Sequence, residues 1–386
     1  MKNLLLLALL FSAFTVQGQN KIESALFEYY DGFSWLVSGG YNYQYDSNNN
    51  LTSMSYYSFD QDVWTPLYKS DYTYNSNNRM LTETVFNADD NNQFEITSKS
   101  TNTYNASNQL ISTLSQDWNG TIWINTYKTD ITYNGNLFVN AVSKTWDGSQ
   151  FVDDFKSTPT YTGTNATQWL SEYWNGTQWI IDYRTLLTYN ANNKITNYKT
   201  EIWDGSIWEE EENYAYLLAT NGNRLTETGY FYGDLAYNRN YNYDTNALMS
   251  DFGNPFKDKT GTDYVFGDFP YVNKILGDVY SDYDESNFTY TPVSRITYNY
   301  LNSLPLARED FQLNKVNLYP NPTHSIVNIQ TDKTIEEVAI IDLSGRTTNV
   351  KLSENNTIDV NTLSSGIYFI VIKTTEGFFR EKFIKN

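Results

Sequence analysis

Six tryptophans in three close pairs, Trp118/Trp123, Trp174/Trp179 and Trp203/Trp208, carry the most legible chemistry in the chain. Indole faces stack on flat apolar surfaces and on cations, so a row of them is a candidate glycan platform. Five cations recur at a fixed offset within successive units: Lys69, Lys99, Lys128, Lys156 and Arg184. On every second strand of a sheet they would stand roughly 9–10 Å apart, a ladder suited to an acidic glycan. Each set also has a plainer reading. Rings used in every unit pack unit against unit, as repeat arrays require. The cations pair with acids such as Glu83 and Glu172 on intervening strands. The plainer readings are the more economical, and these residues stand as the binding candidates.

Catalytic material is sparse. There is no cysteine and a single histidine, His324, which leaves little for nucleophilic, His-based or metal chemistry. No GxSxG, HExxH or glycine-rich phosphate loop occurs. The acidic run Glu209–Glu212 continues a strand, so its carboxylates alternate faces and do not converge on a cation. A unique site in a repeat array shows as a departure from the pattern. The irregular stretch 251–292 is that departure, with Asp258, Asp263, Asp268 and Asp278. It is where a polysaccharide hydrolase or lyase site belongs if there is one. The expectation is no catalytic residue, no cofactor and no metal.

The elements that carry these residues repeat. Tyrosine returns at 45, 74, 104, 133, 161, 189, 216 and 243, a step of 27 to 30 residues. Ten residues earlier stands an aromatic: Trp35, Trp64, Phe94, Trp123, Phe151 and Trp179. Period-two alternation places offsets 0, +4, +6 and +10 from that aromatic on one face, with small hydroxyl residues at +6. The cations, at +5, fall on the opposite face. Asn-Gly or Asp-Gly in WNGTIW, WDGSQF, WNGTQW and WDGSIW predicts tight type I′ hairpins. Asn-rich runs such as YNSNNR after each tyrosine predict the other turn. About seven units follow, degenerate after residue 243. The layout is open between ribbon, spiral and closed barrel. A membrane-spanning barrel is disfavoured because these faces carry Thr, Ser, Asn and charge rather than aliphatic residues.

Charge separates two regions. From Gln312 onward 8 basic and 8 acidic residues cancel, so the whole net charge of −19 lies before it. Such an acidic array argues against nucleic acid as a partner. At the N-terminus, Lys2 precedes the apolar run Leu4–Leu10, with Val16 and Gly18 at cleavage-site spacing. That reads as a signal peptide over 1–18, too short to span a membrane.

Two family resemblances follow. YQYDSNNNLTS (43–53), NGNRLTETGYF (221–231) and YNYDTNALMSD (241–251) resemble the YD repeats of the RHS family. That likeness implies β-sheets wrapped into shells or spirals that enclose toxins or contact other cells. The C-terminal segment resembles the type A sorting domain of type IX secretion cargo in Bacteroidota. It carries VNLYPNP (316–322), VAIIDLSGR (338–346), LSSGIYFIV (363–371) and the terminal KFIKN. The sorting-signal residues so implied are Pro320, Asn321, Pro322, Gly345, Gly366, Tyr368 and Lys382. This resemblance implies a small β-sandwich, the type IX machinery as partner, and delivery to the cell surface or medium.

The chain is thus expected to be all-β: an extended antiparallel β-meander of two-strand repeats followed by a small Ig-like β-sandwich. Its expected parts are a signal peptide (1–18), repeats (19–303), a linker (304–311) and a sorting domain (312–386). Its expected role is adhesion or binding to a glycan or surface partner without catalysis. The alternatives are the enzyme already located and a ligand-free surface spacer.

Overall fold

The computed structural model describes residues 21–257, 260, 271–304, 306, 316–331, 334–342, 347–353, 355–374 and 377–386. The expected signal peptide, Asp258, Asp263, Asp268, Gly345 and most of the expected linker lie outside the described residues. The chain divides after Leu304 into two compact units.

The first unit has eighteen strands: β1 Ser24–Tyr30, β2 Trp35–Tyr45, β3 Leu51–Asp60, β4 Val63–Tyr74, β5 Met80–Ala88 and β6 Phe94–Tyr104. There follow β7 Leu110–Trp118, β8 Trp123–Asn134, β9 Leu137–Trp146, β10 Phe151–Thr162, β11 Asn165–Trp174 and β12 Trp179–Tyr189. The last are β13 Ile195–Trp203, β14 Trp208–Leu218, β15 Arg224–Phe231, β16 Asp234–Leu248, β17 Asn273–Asp284 and β18 Thr289–Asn299. Each pairs antiparallel with its neighbours in sequence, and β1 pairs with both β2 and β18. The meander is therefore not extended. It closes into a barrel, which leaves no strand edge unpaired. The degenerate stretch after Tyr243 still supplies β17 and β18, which complete the ring.

A one-residue bulge corrects the facial assignment. In β8 the register runs Gln116↔Asn125, then Ser115↔Tyr127, so Thr126 is extra. The same offset, +3 from the aromatic, is extra in the other units: Ser38, Leu67, Thr97, Asp154, Asp182 and Glu211. A bulge resets the alternation of side chains. Offset 0 therefore shares a face with the cation at +5, while +4, +6, +8 and +10 share the other. Followed round the ring, the register climbs toward the Trp-bearing hairpins. With the fixed right-handed twist of strands, that sense of shear places Trp123 and Lys128 outside and Tyr127, Thr129 and Tyr133 inside.

The Asn-Gly and Asp-Gly hairpins at that end differ from type I′. In WNGTIW the Asn119 N–H donates to Ile122 O, and Asn119 Oδ1 accepts from the N–H groups of Thr121 and Ile122. Only Gly120 has positive φ, at 93°. Glycine is thus the first central residue, and the Asn or Asp before it caps the turn instead of occupying it.

The tyrosine that sets the period has a definite task. Its hydroxyl reaches back to the carbonyl beside a second bulge in the preceding unit: Tyr74 to Leu51 O (2.8 Å), Tyr104 to Met80 O (2.6 Å), Tyr161 to Phe138 O (3.0 Å) and Tyr189 to Ala166 O (2.9 Å). Tyr243 and Tyr300 repeat the contact with Arg224 O and Ile275 O. The inner wall from β16 round to β5 also holds a buried cluster in which Met249, Phe252, Phe256 and Tyr271 pack against Tyr43, Tyr72 and Ile275.

The second unit has a three-stranded sheet, β19 Asn317–Tyr319, β20 Ile326–Gln330 and β23 Thr357–Asp359. Its second sheet orders β22 Thr347–Asn349, β21 Ile335–Asp342, β24 Gly366–Thr374 and β25 Gly377–Lys385. Both sheets feed one core, with Val327 and Ile358 from the first and Ile340, Ile370, Ile372 and Phe383 from the second.

Candidate functional site

The outer wall gathers the residues singled out from the sequence, with their recognition surfaces already engaged. Trp118–Trp123, Trp174–Trp179 and Trp203–Trp208 are directly opposed, with centroids 5.1, 5.2 and 5.0 Å apart. A cation from two strands away lies over one ring of each pair: Lys99 over Trp123 at 4.4 Å, Lys156 over Trp179 at 4.8 Å and Arg184 over Trp208 at 4.3 Å. Such contacts are worth about 0.5–1 kcal/mol each at exposed sites. Lys69 instead lies over Phe86, its direct partner on the adjacent strand, and pairs with Asp71 at 2.8 Å. Four of the five ladder cations are charge-compensated, the other three through Lys128–Asp130 (2.8 Å), Lys156–Glu172 (2.7 Å) and Arg184–Glu201 (2.6 Å). Glu172 is thus a partner as expected, whereas Glu83 faces inward opposite Tyr72. At mid-height this wall carries ion pairs where a membrane barrel carries aliphatic side chains. Among the described residues no helix is long and apolar enough to cross a membrane.

The inner wall across β8–β13 forms a groove of about 400 Å³. Ser143, Ser157 and Ser171 lie along its floor, while Trp169, Tyr183 and Tyr198 stand beside them. None of its lining residues is charged. Hydroxyls meet in cross-strand pairs, Thr129–Ser143 at 3.0 Å and Ser157–Ser171 at 3.5 Å, with Ser100–Ser115 at 3.2 Å continuing the belt. The sequence showed the small hydroxyl residues at +6. It did not show Trp169, which lies outside the recurrent pattern, or that these positions line a concave wall.

Farther round, β14–β17 break the pattern with buried charge. Arg224 pairs with Glu227 at 3.1 Å, and Glu227 also accepts from Tyr237 (2.8 Å) and Tyr241 (3.2 Å). Arg239 stands 3.7 Å from Asp278, which is only 6% exposed. Burial pushes the Asp278 carboxyl up to about 6, and the Arg239 charge opposes that rise. Burial likewise pushes Tyr241 up to about 12. Of the four aspartates in the irregular stretch, only Asp278 falls among the described residues, and it is committed to an arginine. Among the described residues no group of three or more His, Asp or Glu is placed to hold a metal ion.

In the second unit, Asn321 joins two parts of the sorting signal. Its side chain donates to Lys382 O at 2.8 Å and accepts from Ile384 N at 2.9 Å. Tyr368 stacks on Phe383 at 5.6 Å and donates to Ser364 O at 2.9 Å. Gly366 opens β24 opposite Lys385. Pro320 and Pro322 flank Asn321 in the turn after β19.

Fold and site together define a closed, polar-walled barrel followed by a small two-sheet module. Residues 317–386 match the secretion system C-terminal sorting domain family. The segment is a type IX secretion C-terminal sorting domain, which makes the chain a type IX cargo, exported for secretion or outer-surface attachment. No curated protein matches the sequence. Among solved structures, the chain is similar to a porin-like protein from Bacteroides uniformis at 12% identity and TM-score 0.35, covering 73% of this chain and 97% of that one. A protein with unknown function from Bacteroides fragilis is similar at 13% identity and TM-score 0.28, covering 31% of this chain and 89% of that one. TcdB2-TccC3 is similar at 10% identity and TM-score 0.32, over 83% of this chain but 14% of that one. Likeness at this level carries no functional argument.

Proposed function

We propose that this exported barrel binds a neutral oligosaccharide in its lumen, without catalysis. The observation that carries the reading is the uncharged inner groove, whose volume lies in the range of small-ligand sites. Its hydroxyl pairs recur at two-strand spacing, roughly 9–10 Å, close to the repeat of a disaccharide in an extended β-linked chain. Trp169, Tyr183 and Tyr198 set aromatic rings beside a polar floor. The outer tryptophans serve to hold hairpins together, since lysine and arginine already cover one face of each pair. Glu227 and Asp278 act in a structural network with Arg224 and Arg239.

Calorimetry of the full chain against neutral β-linked glucan and xylan oligomers, with oligouronates as the charged comparison, tests this. Binding should favour the neutral oligomers, fall at least tenfold in Ser157→Leu, which fills the groove, and persist in Trp123→Ala. Silence on every sugar would leave a ligand-free spacer. Oligomer cleavage abolished by Asp278→Asn would replace the binding role with a catalytic one.

A further inference from the structure

All nine outer hairpins of the barrel lie at one end, and six of them present a large apolar residue to solvent. These are Phe33 (90% exposed), Val63 (51%), Ile122 (56%), Ile207 (57%), Tyr232 (74%) and Phe288 (80%). Five belong to consecutive hairpins round the ring, β13/β14, β15/β16, β17/β18, β1/β2 and β3/β4. Tips of successive hairpins stand two strand spacings, roughly 9–10 Å, apart, so these five form a crescent of about 40 Å.

Turn geometry does not call for these side chains. The position of Ile122 and Ile207 is Gln150 in the β9/β10 hairpin and Gln178 in the β11/β12 hairpin. Tyr232 and Phe288 have φ of 51° and 54°, a left-handed conformation in which Gly or Asn is at ease and a bulky residue is strained. Local folding would replace both. A strained ring left open to water indicates a use outside the fold.

Charge narrows the partner. Exposed Asp31, Asp62, Asp204, Asp234 and Glu285 sit beside the tips. Asp31 and Asp204 accept backbone N–H groups of their turns, which holds both carboxyls below the usual range and keeps them ionised. An anionic surface would be repelled. A surface whose outermost groups are ammonium ions would be attracted, both by the carboxylates and by the aromatic faces.

We propose that this crescent docks the barrel on a zwitterionic lipid bilayer, with the apolar tips entering the headgroup region and the carboxylates meeting the ammonium groups. The docking is peripheral, as for other interfacial anchors, and leaves the ion-paired outer wall in water. It does not depend on the glycan reading.

The absence of cysteine gives a clean test. In the full chain, Phe288→Cys carrying an environment-sensitive fluorophore should shift to the blue on adding phosphatidylcholine vesicles. The same label at Ala106→Cys, in a loop at the opposite end, should not respond. In co-sedimentation, phosphatidylcholine vesicles should retain the chain and phosphatidylglycerol vesicles should not. The triple variant Phe33→Ser/Ile207→Ser/Phe288→Ser should bind at least tenfold more weakly. No retention by phosphatidylcholine, equal retention by both lipids, or an equal response of both labels would overturn the proposal. So would a concentration-dependent blue shift without vesicles, which would identify a second copy of the chain as the occupant.

Discussion

The barrel and the sorting domain solve the same problem with different materials. The sorting domain buries a compact aliphatic centre, with Val327, Ile358, Ile370, Ile372 and Phe383 all fully inaccessible. Away from the cluster around Met249 and Ile275, the barrel spreads its apolar matter over a single layer, so most of its rings are half-buried. Tyrosines such as Tyr74, Tyr104 and Tyr189 each donate one hydrogen bond to the backbone besides. One unit therefore depends on a few central residues, the other on many equivalent small ones. That difference matches the composition, since tyrosine and tryptophan tolerate a wet edge and isoleucine does not.

The comparison can be broken most directly at Phe383. Phe383→Ala should cost about 3–5 kcal/mol and remove the sorting domain's unfolding transition in denaturant, leaving the barrel's transition in place. Secretion should fail with it. A small change would mean that the core is not where this domain's stability resides.

Next in size is the buried exception in the barrel. Asp278 rises from 3.8 to about 6 on folding, a shift worth about 3 kcal/mol at most. Because the folded state holds this proton more tightly, the associated stability is complete below pH 3.8 and is lost as pH rises through 6. Thermal unfolding between pH 4 and 6 should show that slope, and Asp278→Asn should flatten it.

The repeated tyrosines come third. Removing one hydroxyl, as in Tyr74→Phe, Tyr161→Phe or Tyr189→Phe, should cost about 1 kcal/mol each, with nearly equal values along the array. Strongly unequal values from chemical denaturation would show that the units are not equivalent. The smallest effect belongs to the outer ladder. Lys156→Ala should lose under about 1 kcal/mol, and salt titration should erase most of it.

Much of the candidate chemistry was visible in the sequence, but its orientation was not. The +6 hydroxyls, the tryptophan pairs and the cation series are all where the repeat predicts along the strands. Thr126 and its equivalents then shift the count by one residue, which moves Lys128 to the side of Trp123. Those extra residues are Ser, Leu, Thr, Asp and Glu in different units, so no residue type announces the bulge. Trp169 escaped notice for the opposite reason: it occurs in one unit, and a periodic reading discounts what does not recur.

Local pattern alone determined the strands, the turn positions, the repeat length and the sorting segment, because each is written in neighbours a few residues apart. Closure of Ser24–Tyr30 on Thr289–Asn299 joins segments more than 250 residues apart and depends on the accumulated twist and shear of every strand between them. No short window contains that sum. The tertiary structure alone therefore decided that a lumen exists, which rings line it, and which hairpins share its open rim.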